Sequence, residues 1–224
     1  MNATTLWLMA VAMGVYQGVN PPTSWLRAVG RGLETGSHRA ALASTFALAL
    51  GHFLAMAALL VPAALVIALL TTRDALQMDE LMHAGWAVSG TLILFGFYKI
   101  LYPQHPRFVA RIRPRQPVRW AFFMGVTHCG SPLMMVPMLI DLLMLQSGFK
   151  ICGTSALAPA LDAMLLALAI CLAMALPLFL TGSAMAIAIM RRLGLRAVTR
   201  YWVNLDLGWA AGFVVMGVMG FAMR

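Results

Sequence analysis

Apolar residues fall into six runs, near 5–32, 40–70, 82–102, 118–145, 157–190 and 200–223, separated by short polar connections. About 20 helical residues cross roughly 30 Å of hydrocarbon, so the runs predict six membrane-spanning helices. The first, second and fifth are longer than crossing requires and must tilt, break or extend beyond the bilayer. No polar insert between the runs is long enough for a soluble domain. The pattern therefore predicts an all-α integral membrane protein forming a single transmembrane domain over residues 1–224.

The runs repeat in order. Met13-Gly14-Val15, ahead of Gly18-Val19-Asn20-Pro21-Pro22, matches Met124-Gly125-Val126, ahead of Gly130-Ser131-Pro132. LALGHFLAMA, Leu48 to Ala57, matches LALAICLAMA, Leu166 to Ala175, and Gly85-Trp86-Ala87 matches Gly208-Trp209-Ala210. The offsets of 111, 118 and 123 drift only as far as small loop insertions allow. We read two three-helix repeats, 1–103 and 104–224. Three is odd, so the halves insert in opposite orientations, which is a transporter arrangement.

The first run of each half carries residues that do not suit a continuous helix. In VNPPTSW, Pro21 and Pro22 remove backbone donors, and Pro21 disfavours helix at Asn20. In THCGSPLMMVP, Gly130 loosens the helix, and Pro132 and Pro137 break or bend it. Unwound backbone in a bilayer is tolerated where protein or a water-filled cavity satisfies it. Two such breaks at corresponding places point to a midplane substrate site. The candidate substrate-binding residues are Tyr16, Gln17, Asn20, Thr127 and Ser131, with His52 of the second run, because a buried histidine there needs a partner. His128, Cys129, Met134 and Met135 form the candidate metal cluster, since imidazole, thiolate and thioether suit soft or borderline ions. Methionine is also ordinary apolar filling in packed helices.

Composition narrows the alternatives. The 224 residues are 62% hydrophobic and 10% charged, too few charges to cover a soluble surface. The net charge of +9 reflects topology rather than nucleic-acid binding. Of the 16 basic residues, 13 lie in or beside the connections after the first, third and fifth runs. By the positive-inside rule those connections are cytoplasmic and both termini lie outside, in what we expect to be a bacterial cytoplasmic membrane. The N-terminal MNATTLWLMAVAMGVYQG lacks the basic start of a cleavable signal peptide. Cys129, Cys152 and Cys171 form no CxxC pair, which argues against a disulfide framework or zinc finger.

Six spans with short loops, inverted three-helix halves and Pro-broken first helices resemble the LysE-type superfamily of small transporters. That group includes amino-acid exporters, nickel/cobalt exporters, the TerC family and the CcdA/DsbD thiol-electron carriers. CcdA-like members use a Pro-adjacent cysteine in each half, whereas here Asn20-Pro21 stands opposite Cys129. The His/Asp-rich first-helix signature of the nickel exporters is missing too. The expectation is a transporter for a small polar solute or a transition-metal ion, working by alternating access without a Walker-type ATP site. A metal-delivery or membrane subunit of a larger complex, or a homo-oligomer, is the alternative. A membrane enzyme using His52, His128 and Cys129 is a third reading, though neither HExxH nor GxSxG occurs.

Overall fold

The computed structural model describes residues 2–21, 23–72, 78–102, 116–126, 131–147, 157–193 and 205–222. Every regular element among them is helical: α1 Ala3–Val19, α2 Trp25–Thr35, α3 His38–Thr72, α4 Met78–Leu101, α5 Pro117–Met124, α6 Ser131–Ser147, α7 Leu157–Ala188 and α8 Leu205–Ala222. A wide π turn, Ile189–Leu193, extends α7. The stretches His38–Thr71, Asp79–Leu101 and Pro159–Arg192 are long and apolar enough to cross a membrane. The apolar stretches Ala3–Val19, Pro132–Leu145 and Ala210–Ala222 are shorter.

Two of the six runs are therefore pairs of helices. The first divides into α1 and α2 because Pro21 drives Asn20 out of helix, to φ −71° and ψ 118°. In the fourth run the described residues form α5 and α6, and residues 127–130 between them lie outside the described residues. Pro132 lies in the first turn of α6, where its missing N–H has no helical acceptor in any case. Pro137 does not end the helix, because α6 continues through it to Ser147.

α2 is amphipathic. Trp25, Ala28, Val29 and Gly32 are buried, packing with Ala186 and Ile189 at the end of α7, while Arg31 and Glu34 face outward as an ion pair of 3.6 Å. Gly36 stops it in the left-handed region, φ 62°, where a Cβ would be strained.

The long helices α3 and α7 pack together, and α4 packs on α8. α1 lies on α7, α5 lies on α3, and α6 touches α3, α4, α1, α7 and α8. The main apolar core between them includes Leu6, Met56, Leu60, Met134, Met135, Met138, Ile170, Cys171, Met174 and Phe213. An edge-to-face pair, Phe95 with Phe213 at 4.9 Å, joins α4 to α8. Close backbone approach depends on glycine: a Cβ on Gly96 would stand 2.8 Å from the Ala210 carbonyl oxygen, and one on Gly217 2.6 Å from that of Ser89. The outer surface is apolar, with Leu8, Leu94, Phe97, Leu165, Leu172, Leu180 and Val215 each more than half exposed. In water such a surface would be a liability; against hydrocarbon it carries no penalty.

Candidate functional site

The first break satisfies its own backbone. Ending α1 at Val19 leaves the last carbonyls without helical N–H partners. The Thr23 hydroxyl donates to the Gln17 carbonyl at 2.7 Å and to that of Asn20 at 3.0 Å. The Ser24 hydroxyl donates to the Gly18 carbonyl at 2.6 Å and to that of Asn20 at 3.3 Å. The Trp25 indole N–H takes the Val19 carbonyl at 2.8 Å. All four carbonyls from Gln17 to Asn20 are thus held by side chains no more than six positions on.

The side chains of Gln17 and Asn20 are in the opposite state. Leu6, Ala10 and Gln17 are buried at helical spacing, and Asn20 follows three residues later, so the two carboxamides prolong the inward stripe of α1. Both are essentially inaccessible, at 0% and 1% exposure, yet neither the oxygen nor the nitrogen of either carboxamide makes a hydrogen bond. Leaving such a group buried and unpaired costs about 1–3 kcal/mol. Folding alone gives no reason to bury two of them where leucine would pack.

The wall beside them belongs to α7. Gly14 lies against the Met174 backbone, and Gly18 against the Thr181 hydroxyl and the Leu178 carbonyl, with no space for a Cβ at either. A Cβ on Gly182 would sit 3.0 Å from Ser24 and 3.2 Å from Thr45, so small residues bring α3, α7 and the break together. The Ser183 hydroxyl is buried there without a partner.

His52 occupies a different place. Its Nδ1 lies 3.2 Å from the Leu48 carbonyl oxygen, which can only accept, so the neutral ring carries its proton on Nδ1. Nε2 is then a lone pair, buried and unpartnered. The ring edge borders α5, since a Cβ on Gly125 would stand 3.8 Å from His52 Cδ2 and 2.8 Å from the Ala55 methyl. Gly125, the C-cap of α5, thus lies against His52.

The remaining candidates separate. The Tyr16 hydroxyl faces the start of α8, 2.6 Å from where a Gly208 Cβ would lie. Met134 and Met135 are fully buried in the main core, and the Met134 methyl is 3.4 Å from a Cβ position on Gly212. Thr127, His128 and Cys129 lie outside the described residues, and Ser131 opens α6. Among the described residues no three His, Cys, Asp or Glu side chains gather as a metal site. Asp162, His38 and His83 are exposed, and Asp141 is half-buried.

Sequence reasoning missed Thr23, Ser24 and Trp25, although Ser and Thr directly after a Pro break are ready donors for freed carbonyls. It also missed Arg27, whose guanidinium stacks over the Trp120 ring at 3.8 Å and joins α2 to α5. Comparison with known protein families, curated proteins and solved structures gives no match to this chain.

Proposed function

We propose that the chain is a small membrane transporter whose substrate site lies between two Pro-broken helices, one in each of two inverted halves, 1–103 and 104–224. The observation that carries this reading is the pair of buried, unpartnered carboxamides of Gln17 and Asn20 at the first break. The inverted arrangement draws support from reciprocal packing. α1, before the first break, lies on α7, and α5, before the second, lies on α3. Gly14 meets Met174 while its sequence counterpart Gly125 meets Ala55. Orientation follows the basic residues, with α2 and the starts of α3 and α5 at the cytoplasmic side.

Side-specific labelling tests this without knowledge of a substrate. In a chain whose native cysteines are replaced, Asn20→Cys is expected to react with a membrane-impermeant maleimide from either side of oriented vesicles. Leu8→Cys, on the outer surface, is expected to react from neither. Labelling of Asn20→Cys from one side only, or from none, would overturn alternating access.

A second reading, transition-metal transport, is favoured by the His52 Nε2 lone pair beside the end of α5, with His128 and Cys129 following in sequence. It expects near-stoichiometric Cu, Zn, Ni, Co or Fe on the loaded, purified protein by elemental mass spectrometry. That metal should be lost in a His128→Ala/Cys129→Ala variant. Equal metal in both proteins would remove the pair from any metal site.

A further inference from the structure

Resting on the transporter reading above, we infer that the site at the first break takes a small uncharged solute carrying a hydrogen-bond donor and acceptor side by side, the carboxamide and urea class. The argument begins with what the break withholds. Unwound helices in membrane carriers commonly coordinate cations through freed carbonyls. Here the carbonyls of Gln17, Gly18, Val19 and Asn20 already accept from Thr23, Ser24 and Trp25. The negative end of the α1 dipole is thereby largely quenched at the place where a cation would meet it.

No charged side chain is hydrogen-bonded to either carboxamide. Glu34, Asp79, Glu80 and Asp162 are exposed, and Asp141 is half-buried on α6. Arg27 lies in α2 with its guanidinium over the Trp120 ring and one Nη atom buried without a hydrogen-bond partner. A cation taken from water to the carboxamides loses its hydration with no carboxylate bonded to them to replace it, a loss that an uncharged solute avoids.

What remains free is balanced. Each carboxamide offers an oxygen acceptor and an NH₂ donor, and all four groups are unpaired. Donor and acceptor lie in one plane on each side chain. A planar solute with N–H beside C=O can therefore make two parallel bonds to either one. Gln17 lies in the last turn of α1 and Asn20 is its C-cap, three residues on. Selectivity follows from the same geometry. A solute lacking either function leaves a buried group of the site unpaired, which penalises binding far more than a missing methylene does.

The test uses the purified full chain in proteoliposomes, with urea and acetamide flux followed by stopped-flow light scattering. Ammonium, acetate and Ni²⁺ are measured in parallel. The expected result is urea or acetamide flux above that of empty liposomes. Gln17→Met and Asn20→Leu should each reduce it about tenfold, the equivalent of about 1.4 kcal/mol. Leu8→Ala is expected to match wild type. Gel filtration and melting accompany each variant; should one fail to fold, Gln17→Ala and Asn20→Ala, which remove the carboxamide without adding bulk or charge, take its place with the same expected loss. Flux of ammonium, acetate or Ni²⁺ that depends on Gln17, with urea and acetamide at the empty-liposome rate, would overturn the solute class while leaving the site in place. Two-sided labelling of Asn20→Cys with no urea or acetamide flux would also overturn the solute class alone. One-sided labelling would instead sink the transporter reading itself.

Discussion

Gly18→Leu is expected to leave little or no folded protein. A Cβ at this position coincides with the Thr181 hydroxyl and stands 2.8 Å from the Leu178 carbonyl oxygen. Thr181 is itself held, donating to the Pro177 carbonyl at 2.6 Å, so it has no free rotation by which to yield. The second obstacle is backbone of α7, which cannot move without disturbing the α3–α7 contact. Overpacking a core by a methylene or two costs about 1–3 kcal/mol, and a leucine against main chain exceeds that range. Gly14→Leu should behave alike, since Gly14 abuts the Met174 backbone. Gly30 provides the control: nothing lies within 4 Å of a Cβ there, so Gly30→Ala should hold or gain stability. The check is the monodisperse fraction on gel filtration with the melting temperature in detergent. A Gly18→Leu protein that melts with Gly30→Ala would refute the close α1–α7 approach.

The second large effect concerns the side chains that hold the break. Thr23→Val with Ser24→Ala removes two hydroxyl donors, leaving the Gln17 and Gly18 carbonyls without them while the Asn20 carbonyl keeps the Ser24 backbone N–H, and it changes little volume. Bonds between polar groups inside membranes average about 0.6 kcal/mol and reach about 1.7. A buried acceptor left unsatisfied costs about 1–3 kcal/mol. We expect the double variant to lose about 2–4 kcal/mol in reversible unfolding from detergent micelles. Thr23→Ser with Ser24→Thr keeps both hydroxyls and should recover most of it. An unchanged unfolding midpoint in the double variant would show that water, rather than Thr23 and Ser24, serves those carbonyls.

What the sequence disclosed, and what it hid, follows from the range of each interaction. The end of α1 at Asn20 was legible because the proline restriction acts on the adjacent residue. For the second motif, Pro132 stands in the first turn of α6 and Pro137 within it, while Thr127 to Gly130 lie outside the described residues. Gln17 and Asn20 stood out as polar residues in an apolar run. That their carboxamides stay unpaired depends on neighbours from α7 and the break, which no local pattern specifies. His52 was visible as a costly residue, but its place against α5 is a tertiary contact. Met134 and Met135 stand beside His128 and Cys129 in sequence, and their complete burial in the main core is a tertiary fact that composition does not give. The spacing of Gly14 and Gly18 was readable in principle as a small-residue motif for close helix packing, and only the repeat of Met-Gly-Val drew notice.

The self-held bend after α1 also bears on the order of assembly. Its fastenings join residues three to six positions apart, all within Gln17 to Trp25. Closing a loop of about ten residues takes roughly 10–100 ns, whereas synthesis adds about 5–20 residues per second. The contacts of the bend can therefore form as soon as Trp25 has been made, before α7 exists to receive it.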